Sequence, residues 1–500
     1  MKHLSLRLIA AALAAALCLG FAACGGGSDA PAPSVGGEPS ANQPAPDETA
    51  AETTEKPEYT PPEQGFGGAD IRYAMVKQPS PNWIIRTYVE GVSEELNGDP
   101  INDAIYNRNR YVEEALDCHI VPVLYENTDP MLKATMAGDS YCELMTVSGT
   151  GMPGLLNKHI LLDLHTIDTL DLSASWWDQN SVKQLSIANK LYGAVGNLSS
   201  FAFVGSYAVF VNKGILESYS LENPYEAVRS GKWTFDKMGE MAKTVAHDLN
   251  GDGKPGKEDM FGLSSEALGM VMLNAAGCRF TDKDENDIPE ITLANYDVNG
   301  ALEKIVPLFR DKNVALYASD YASGYKNVFR QLIVEKFIAD ELLFINNWVL
   351  VALELRDMQS DFGILPPPKG SEEQENYIDY GSETWVNYAV VPITVADTNP
   401  VGLAMDALGY FGKTEIYKAV IETTITDKAL RDTDTEEMLD IIYNNRRYEL
   451  AGIFNWGDIN GMASNFIGTN KTDFASQWAK TESKVLKALQ STIDEITAEG

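Results

Sequence analysis

Apolar strand segments alternate with amphipathic helix segments along residues 71–147, and this alternation limits the possible folds of the chain most strongly. The strand segments are IRYAMV at 71–76, HIVPVLY from His119 and ELMTV at 143–147. Asp-Pro pairs at 99–100 and 129–130 mark helix starts between them. A β-α-β-α-β run builds a parallel sheet with helices on both faces, and ligands of such sheets bind beyond the carboxyl ends of the strands. In this chain that edge is SGTGMPG, which begins at Ser148.

The first 24 residues have the pattern of a bacterial export signal. Basic residues precede an apolar run from Leu8 to Phe21, which is too short for an ordinary membrane-spanning helix. Two alanines stand directly before Cys24, so the end of this segment resembles a lipoprotein lipobox. The resemblance implies that Cys24 becomes the first mature residue and carries lipid, which anchors the protein at the extracellular face of the cell membrane. A plain signal peptide that is cut nearby is the alternative.

Residues 25–69 are predicted to form an unstructured tether. They are rich in Pro, Ala, Glu, Ser and Thr and contain almost no large apolar residues, so burial cannot offset the entropy of ordering them. The rest of the chain is predicted to be globular. Since a chain of 500 residues exceeds what one hydrophobic core usually serves, at least two lobes are expected.

Charge and cysteine content exclude several classes of protein. The net charge of −33 argues against nucleic acid as a partner, because phosphate binding depends on clustered Lys and Arg. Downstream of the signal only Cys118, Cys142 and Cys278 remain, without close metal-ligand spacing, so at most one disulfide can form and buried free thiols are expected. The motifs G-x-S-x-G, G-x-x-x-x-G-K-[ST] and H-E-x-x-H are absent from the sequence, which disfavours hydrolase and nucleotidase activities.

A series of short segments along the chain carries a resemblance to a known family. In order, they are MLKATMAGDSY, WWDQNSVKQLSIANKLYGAVGN, VFVNKGIL, NPYEAVRSGKWTFDKM, DLNGDGKPGKEDMFGL, DFGILPPPK and EEMLDIIYNNRRYEL. Their order resembles that in the extracellular solute-binding proteins of family 1, the carbohydrate-binding lipoproteins of ABC importers. The resemblance covers about residues 70–490.

This resemblance implies an α/β, two-lobed periplasmic-binding-protein-like (type II) fold with hinge-crossing strands. The crossings would lie near Phe203–Asn212 and Asp361–Pro366. Each lobe is then discontinuous, with residues 70–210 and 362–414 in lobe 1 and residues 211–361 and 415–500 in lobe 2.

The function implied by the resemblance is capture of a carbohydrate, an oligosaccharide or related sugar, between the lobes. The protein would deliver it to the permease subunits of an ABC importer, as a monomer and without breaking a bond. A secreted glycoside hydrolase or lyase, and a surface adhesin without transport, are the alternatives.

Sugar binding requires flat apolar faces together with amide and carboxylate groups in a dehydrated cleft. Tryptophans beside Asn, Asp or Glu are therefore the first candidates. Tyr207 is a candidate from its place on the predicted crossing segment, and Ser148 and Thr150 are candidates because they follow the third strand. The candidates are Asn346, Asn347 and Trp348; Glu383 and Trp385; Trp176 and Trp177; Tyr207; and Ser148 and Thr150. For the aromatic residues, packing in the core is the alternative role.

The segment DLNGDGKPGKED at 248–259 has the spacing of a calcium loop. Asp248, Asn250 and Asp252 occupy loop positions 1, 3 and 5, the Lys254 carbonyl occupies position 7, and Asp259 occupies position 12 in place of the usual Glu. We expect a structural Ca²⁺ clip here. A turn that needs no ion is the alternative.

Overall fold

The chain is described by a computed structural model that covers residues 59–77, 93–355, 358–425 and 433–498. The predicted signal peptide, the lipidation site at Cys24 and the predicted tether up to residue 58 lie outside the described residues. No helix in the described ranges has the length and apolar content needed to cross a membrane.

Strands and helices alternate through most of the described chain. The strands are β1 Ala69–Val76, β2 Cys118–Tyr125, β3 Leu144–Ser148, β4 Tyr207–Asn212, β5 Phe261–Ser265, β6 Thr281–Lys283, β7 Pro289–Ile291, β8 Ala315–Tyr317, β9 Leu342–Trp348, β10 Phe362–Leu365, β11 Asp379–Tyr380, β12 Asn387–Val390 and β13 Arg446–Arg447. The α-helices are α1 Pro100–Leu116, α2 Asp129–Met136, α3 Met152–Leu156, α4 Gln179–Gln184, α5 Phe201–Val204, α6 Lys213–Ser218, α7 Pro224–Arg229, α8 Phe235–Val245, α9 Gly269–Ala275, α10 Val298–Arg310, α11 Glu335–Ile338, α12 Asn399–Phe411, α13 Lys418–Ile425, α14 Thr433–Asn444, α15 Leu450–Phe454, α16 Ile459–Gly468 and α17 Phe474–Thr497. Two π-helical turns cover Phe329–Val334 and Gly412–Tyr417.

The predicted β-α-β-α-β run supplies three strands of a four-stranded sheet within the described residues, in the order β12-β3-β1-β2. Strands β1, β2 and β3 are parallel, as predicted, and β12 pairs antiparallel with β3. Helix α1 begins where Asp99 accepts hydrogen bonds from the backbone N–H groups of Ile101 and Asn102, both at 3.0 Å. Strand β3 ends at Ser148 and therefore places SGTGMPG at the carboxyl edge of this sheet.

The second sheet has the order β10-β4-β9-β5-β8 in the described chain. Its strands β4 and β10 are the two segments predicted to cross between lobes, and they pair antiparallel with Phe362 opposite Asn212. The exact lobe boundaries stay a prediction. Strands β5, β8 and β9 are parallel, and β4 is antiparallel to β9, so the start of β4 lies at the same edge as the ends of β5 and β9.

Buried apolar side chains fill the space between the sheets and their helices. In α8, which Thr234 caps through a bond from the Lys237 N–H, the buried residues Met238, Met241 and Val245 share one face. The three cysteines Cys118, Cys142 and Cys278 are free and buried, and burial raises their thiol pKa values to about 12. They are unreactive core residues at neutral pH.

Candidate functional site

The edges of the two sheets meet where several strands end. On the five-stranded sheet, β9 ends at Trp348, β4 begins at Tyr207, and Glu266 directly follows β5. On the four-stranded sheet, β3 ends at Ser148, opposite the first residue of β12. This junction lies at the carboxyl ends of parallel strands, which is where the sequence pattern predicted a ligand.

Three aromatic rings connect the two sheets at this junction, and we call Tyr207, Trp348 and Trp385 the aromatic cluster. The ring centroids of Tyr207 and Trp348 are 4.5 Å apart and nearly perpendicular, at 85°. Those of Trp348 and Trp385 are 6.2 Å apart at 50°. Tyr207 is 1% exposed, whereas both tryptophans are partly exposed. The tryptophans can therefore offer ring faces to a ligand, and the buried Tyr207 ring packs against Trp348.

Asn347 connects the Trp348 backbone with the Glu266 side chain. Its Oδ1 accepts a hydrogen bond from the backbone N–H of Trp348 at 2.9 Å, and its Nδ2 donates to Oε2 of Glu266 at 3.2 Å. The predicted candidates Asn347 and Trp348 thus lie with a carboxylate that the sequence analysis did not select. Glu266 could have been found by applying to the FGLSS strand the same strand-end rule that selected Ser148.

Glu266 is only partly exposed and lies among apolar and uncharged groups. Burial raises its pKa from 4.5 to about 7. Asn347 and Tyr207 face it from β9 and β4, and Tyr207 is itself a buried phenol whose pKa burial raises. The ionised form of Glu266 is therefore disfavoured in the folded protein.

This pKa has a consequence for stability. Between about pH 4.5 and 7 the unfolded chain ionises Glu266 while the folded chain keeps it protonated, so this group lowers stability as pH rises through that window. We expect the free energy of unfolding of the wild type, relative to Glu266→Gln, to fall by on the order of 2 kcal/mol between about pH 4.5 and 7.5. Urea unfolding across this range measures the difference, and a flat difference would contradict the placement of Glu266.

On the side of the four-stranded sheet, Glu383 and Thr150 are joined through the backbone. The Thr150 N–H donates to the Glu383 carbonyl at 2.9 Å, and the Ser148 and Thr150 hydroxyls are 3.1 Å apart. The Glu383 carboxylate accepts from the Tyr380 hydroxyl at 2.7 Å. Ser148, Thr150, Glu383 and Trp385 therefore lie on one rim of the junction, and their role in ligand binding stays a prediction.

Asn346 lies on the opposite face of β9 from Asn347, because neighbouring residues of a strand alternate. It is 2% exposed, and its Nδ2 donates to the Ser264 carbonyl at 3.0 Å. Its own carbonyl accepts from the Tyr207 hydroxyl at 3.3 Å. These contacts join β9 to its two neighbours, which is a supporting role.

Trp176 and Trp177 have the surroundings of packed core residues. They are 8% and 2% exposed, and both indole N–H groups donate to the same Asp406 oxygen, at 2.8 and 2.9 Å. Trp176 also packs against Tyr410 of α12. The structure does not bring this pair together with the aromatic cluster.

A buried ion cluster lies under the start of β4, and we call Arg446, Asp178 and Asp379 the Arg446 cluster. Arg446 is 3.2 Å from Asp178 and 3.5 Å from Asp379 in its shortest nitrogen–oxygen contacts. Its guanidinium also donates to the Ala202 carbonyl at 2.7 Å. Asp379 accepts from the Tyr207 N–H at 2.8 Å, so this cluster fixes the backbone that carries the buried ring of the aromatic cluster.

Solved structures with the same arrangement of sheets are numerous, although no protein-family profile and no curated protein matches the sequence. The galacto-N-biose/lacto-N-biose I-binding protein of an ABC transporter from Bifidobacterium longum aligns over 85% of this chain and 98% of its own, with a TM-score of 0.55 and 13% identity. The GacH receptor of Streptomyces glaucescens aligns over 85% and 99%, at 0.53 and 12%. The chain has the two-lobed, maltose-binding-protein-like fold. An ABC substrate-binding protein from Listeria monocytogenes in complex with cycloalternan gives 86% and 98%, at 0.51 and 14%.

The maltose-binding-protein-like fold confirms the predicted fold class, and at the level of the fold it confirms the resemblance to family 1. The aligned region extends over nearly the whole of each neighbour. At sequence identities of 12 to 14%, individual binding residues of these neighbours cannot be assigned to positions in this chain. The residues of this chain's site follow from its own geometry.

Outside this junction, the predicted calcium loop follows α8 and runs into β5. Asp248 accepts from the N–H groups of Gly251 and Gly253 at 2.6 and 2.7 Å, which holds the pKa of its carboxyl below the usual value, the bond from Gly253 having the largest effect. Asn250 and Asp252 accept from residues two positions ahead, both at 2.8 Å. Asp259 is buried and closes the loop through bonds from the Leu249 and Gly256 N–H groups. In the described parts of the chain, no His, Cys, Asp and Glu side chains form a ready group of three around a metal position.

Calcium binding by this loop stays a prediction. If Ca²⁺ binds the loop, saturating calcium should raise the melting temperature of calcium-free protein by several degrees. A ligand that binds only the folded state increases the free energy of unfolding by RT ln(1 + [L]/Kd). Asp252→Asn, which changes an exposed ligand of the loop, should reduce that rise, whereas Asp311→Asn, outside the loop, should leave it. Equal melting temperatures with calcium and with chelator would establish the ion-free turn.

Proposed function

We propose that this protein is a lipid-anchored, non-enzymatic solute receptor that binds a carbohydrate at the sheet junction for uptake by an ABC importer. The observation that carries the proposal is the contact of Trp348, at the end of β9, with Trp385 of the segment beside β3 and β12. Trp348 ends a strand of the five-stranded sheet, and Trp385 lies two residues before β12 of the four-stranded sheet, so a sugar that contacts both rings would join the two sides. In this mechanism, a ligand that contacts both sides favours the closed arrangement because it binds that arrangement more tightly than the open one.

The chemistry of the junction supports a sugar as the ligand. Partly exposed indole faces suit the C–H surfaces of a pyranose ring, while Glu266, Glu383, Ser148 and Thr150 provide acceptors and donors for hydroxyl groups. The three structural neighbours named above are described as a lacto-N-biose complex, an acarbose receptor and a cycloalternan complex. An oligosaccharide is therefore the first ligand class to test.

Lipid anchoring and the permease partner are parts of the same proposal. The lipobox-like sequence before Cys24 supports an anchor at the extracellular face of the membrane. The anchor is tested by metabolic labelling with a fatty-acid analogue, which Cys24→Ala should abolish. Labelling that persists in this variant would contradict lipidation at Cys24.

The receptor function is tested by thermal-shift and calorimetric titration of the mature protein with a carbohydrate panel. We expect a rise in melting temperature for one ligand class, with the ligand recovered chemically unchanged. A glycoside hydrolase or lyase would release products from the bound oligosaccharide, and an adhesin would function without importer genes beside its own. Absence of any carbohydrate binding across mono- to oligosaccharides would overturn the proposal.

A further inference from the structure

We infer that the carbohydrate bound at this junction carries a protonated amino group, with Glu266 as its counter-ion, so that the ligand class is an amino sugar. The inference rests on the proposed function, because it specifies the ligand of that same site. Its basis is the combination of an unpaired, partly buried carboxylate with indole faces.

The first step is the pairing of Glu266. Its carboxylate receives one hydrogen bond, from the uncharged amide of Asn347, and the described residues contribute no ion pair to it. Buried carboxylates in proteins are normally paired or bonded by several donors, because loss of hydration is costly. For Glu266, burial raises the pKa in accordance with this cost. A cationic group on the ligand would supply the missing partner.

The second step concerns the other charged groups near the junction. Glu383 adds a second carboxylate, which accepts a hydrogen bond from the neutral Tyr380 hydroxyl at 2.7 Å. The two arginines of β13 donate elsewhere, Arg446 within its own cluster and Arg447 to Asn274 and to the Cys278 carbonyl at 3.3 and 3.1 Å. Neither arginine of β13 therefore forms an ion pair with Glu266 or Glu383 in the bonds described.

The third step concerns the tryptophans. The indole face has a negative electrostatic potential, so Trp348 and Trp385 attract a cation as well as a sugar C–H surface. A hydroxyl group at the same position of the sugar gains neither the cation–π attraction nor a full ion pair. An amino sugar therefore uses features of this site that its neutral analogue leaves unused.

The test compares ligands that differ at one substituent. Calorimetry at about pH 7 is run with three β-1,4-linked disaccharides, those of glucosamine, N-acetylglucosamine and glucose, and with the monosaccharide pairs glucosamine and glucose, and galactosamine and galactose. We expect each amino sugar to bind at least about 10-fold more tightly than every neutral analogue in its own set, which corresponds to about 1.4 kcal/mol. Glu266→Gln should remove that preference and leave neutral-sugar affinity within about 3-fold, because it keeps the shape and loses the charge. Glu240→Gln, an exposed carboxylate of α8, is the matched control and should change nothing.

The outcomes separate this inference from the proposed function. Neutral sugars that bind as well as or better than every amino sugar overturn the amino-sugar ligand and leave the carbohydrate receptor intact. A Glu266→Gln variant that loses neutral and amino sugars equally assigns Glu266 to hydroxyl recognition and also overturns the inference. Choline and ethanolamine carry the cation without a sugar ring. Binding of these compounds without any sugar overturns both proposals.

Discussion

Trp348→Ala is expected to abolish the ligand-induced rise in melting temperature while the unliganded protein remains folded. Trp348 is partly exposed and contacts both Tyr207 and Trp385, so its removal separates the two sides of the aromatic cluster. Aromatic residues at the centre of a binding site commonly contribute more than 2 kcal/mol, and we expect a loss of affinity on the order of 100-fold. Calorimetric titration with the ligand found in the carbohydrate screen measures it.

Trp478→Ala is the matched control for this prediction. Trp478 lies on α17, is 8% exposed, and stacks on Phe474 with ring centroids 5.9 Å apart. Its removal leaves a cavity in the core, so the unliganded melting temperature should fall while the rise on ligand binding is kept. If Trp348→Ala binds the ligand with wild-type affinity, the aromatic cluster is not the site.

The first sheet could be predicted because its determinants are local. The strand segments of β1, β2 and β3 are short apolar runs, and Asp99 and Asp129 precede prolines that suit the first turn of a helix. The strand-end rule then indicated Ser148 and Thr150 without knowledge of any distant residue. The antiparallel addition of β12 depends on a pairing across more than two hundred residues and has no local signal.

The tryptophans show where such prediction ends. Trp177 and Trp348 both stand beside polar residues in apolar segments, and nothing nearby in the sequence distinguishes them. Asp406, far along the chain, accepts the indole N–H of Trp177, and a carboxylate in the core is not visible from the segment that contains the indole. Glu266 directly follows the FGLSS strand, so the strand-end rule could have indicated it. Its hydrogen bond with Asn347 could not be predicted, because the five-stranded sheet brings the two residues together from distant parts of the chain.

Arg446→Met is expected to destabilise the protein by about 3–5 kcal/mol, which is the usual cost of leaving the partners of a buried ion pair without their counter-charge. The Arg446 side chain is 3% exposed and lies between Asp178 and Asp379, and it also bonds the Ser206 hydroxyl at the start of β4. Burial raises the pKa of Asp379 to about 7, and Arg446 opposes this rise. Without Arg446 the carboxyl takes up a proton more readily, so we expect a smaller loss at pH 6 than at pH 8. Denaturant unfolding at the two pH values measures both effects.

Arg229→Met is the matched control, because Arg229 also contacts several carboxylates but at the surface. Its guanidinium pairs with Glu226, Asp434 and Glu437, and its side chain is 31% exposed. Exposed ion pairs are hydrated in the folded and in the unfolded protein, so removal of Arg229 should lower the free energy of unfolding by a small fraction of the Arg446 effect.

Adding Asp379→Asn to Arg446→Met should recover part of the lost stability, since it removes a buried carboxylate that has lost its counter-charge. Equal effects of the two arginine substitutions, or no recovery in the double variant, would show that burial of the Arg446 cluster does not control its contribution to stability.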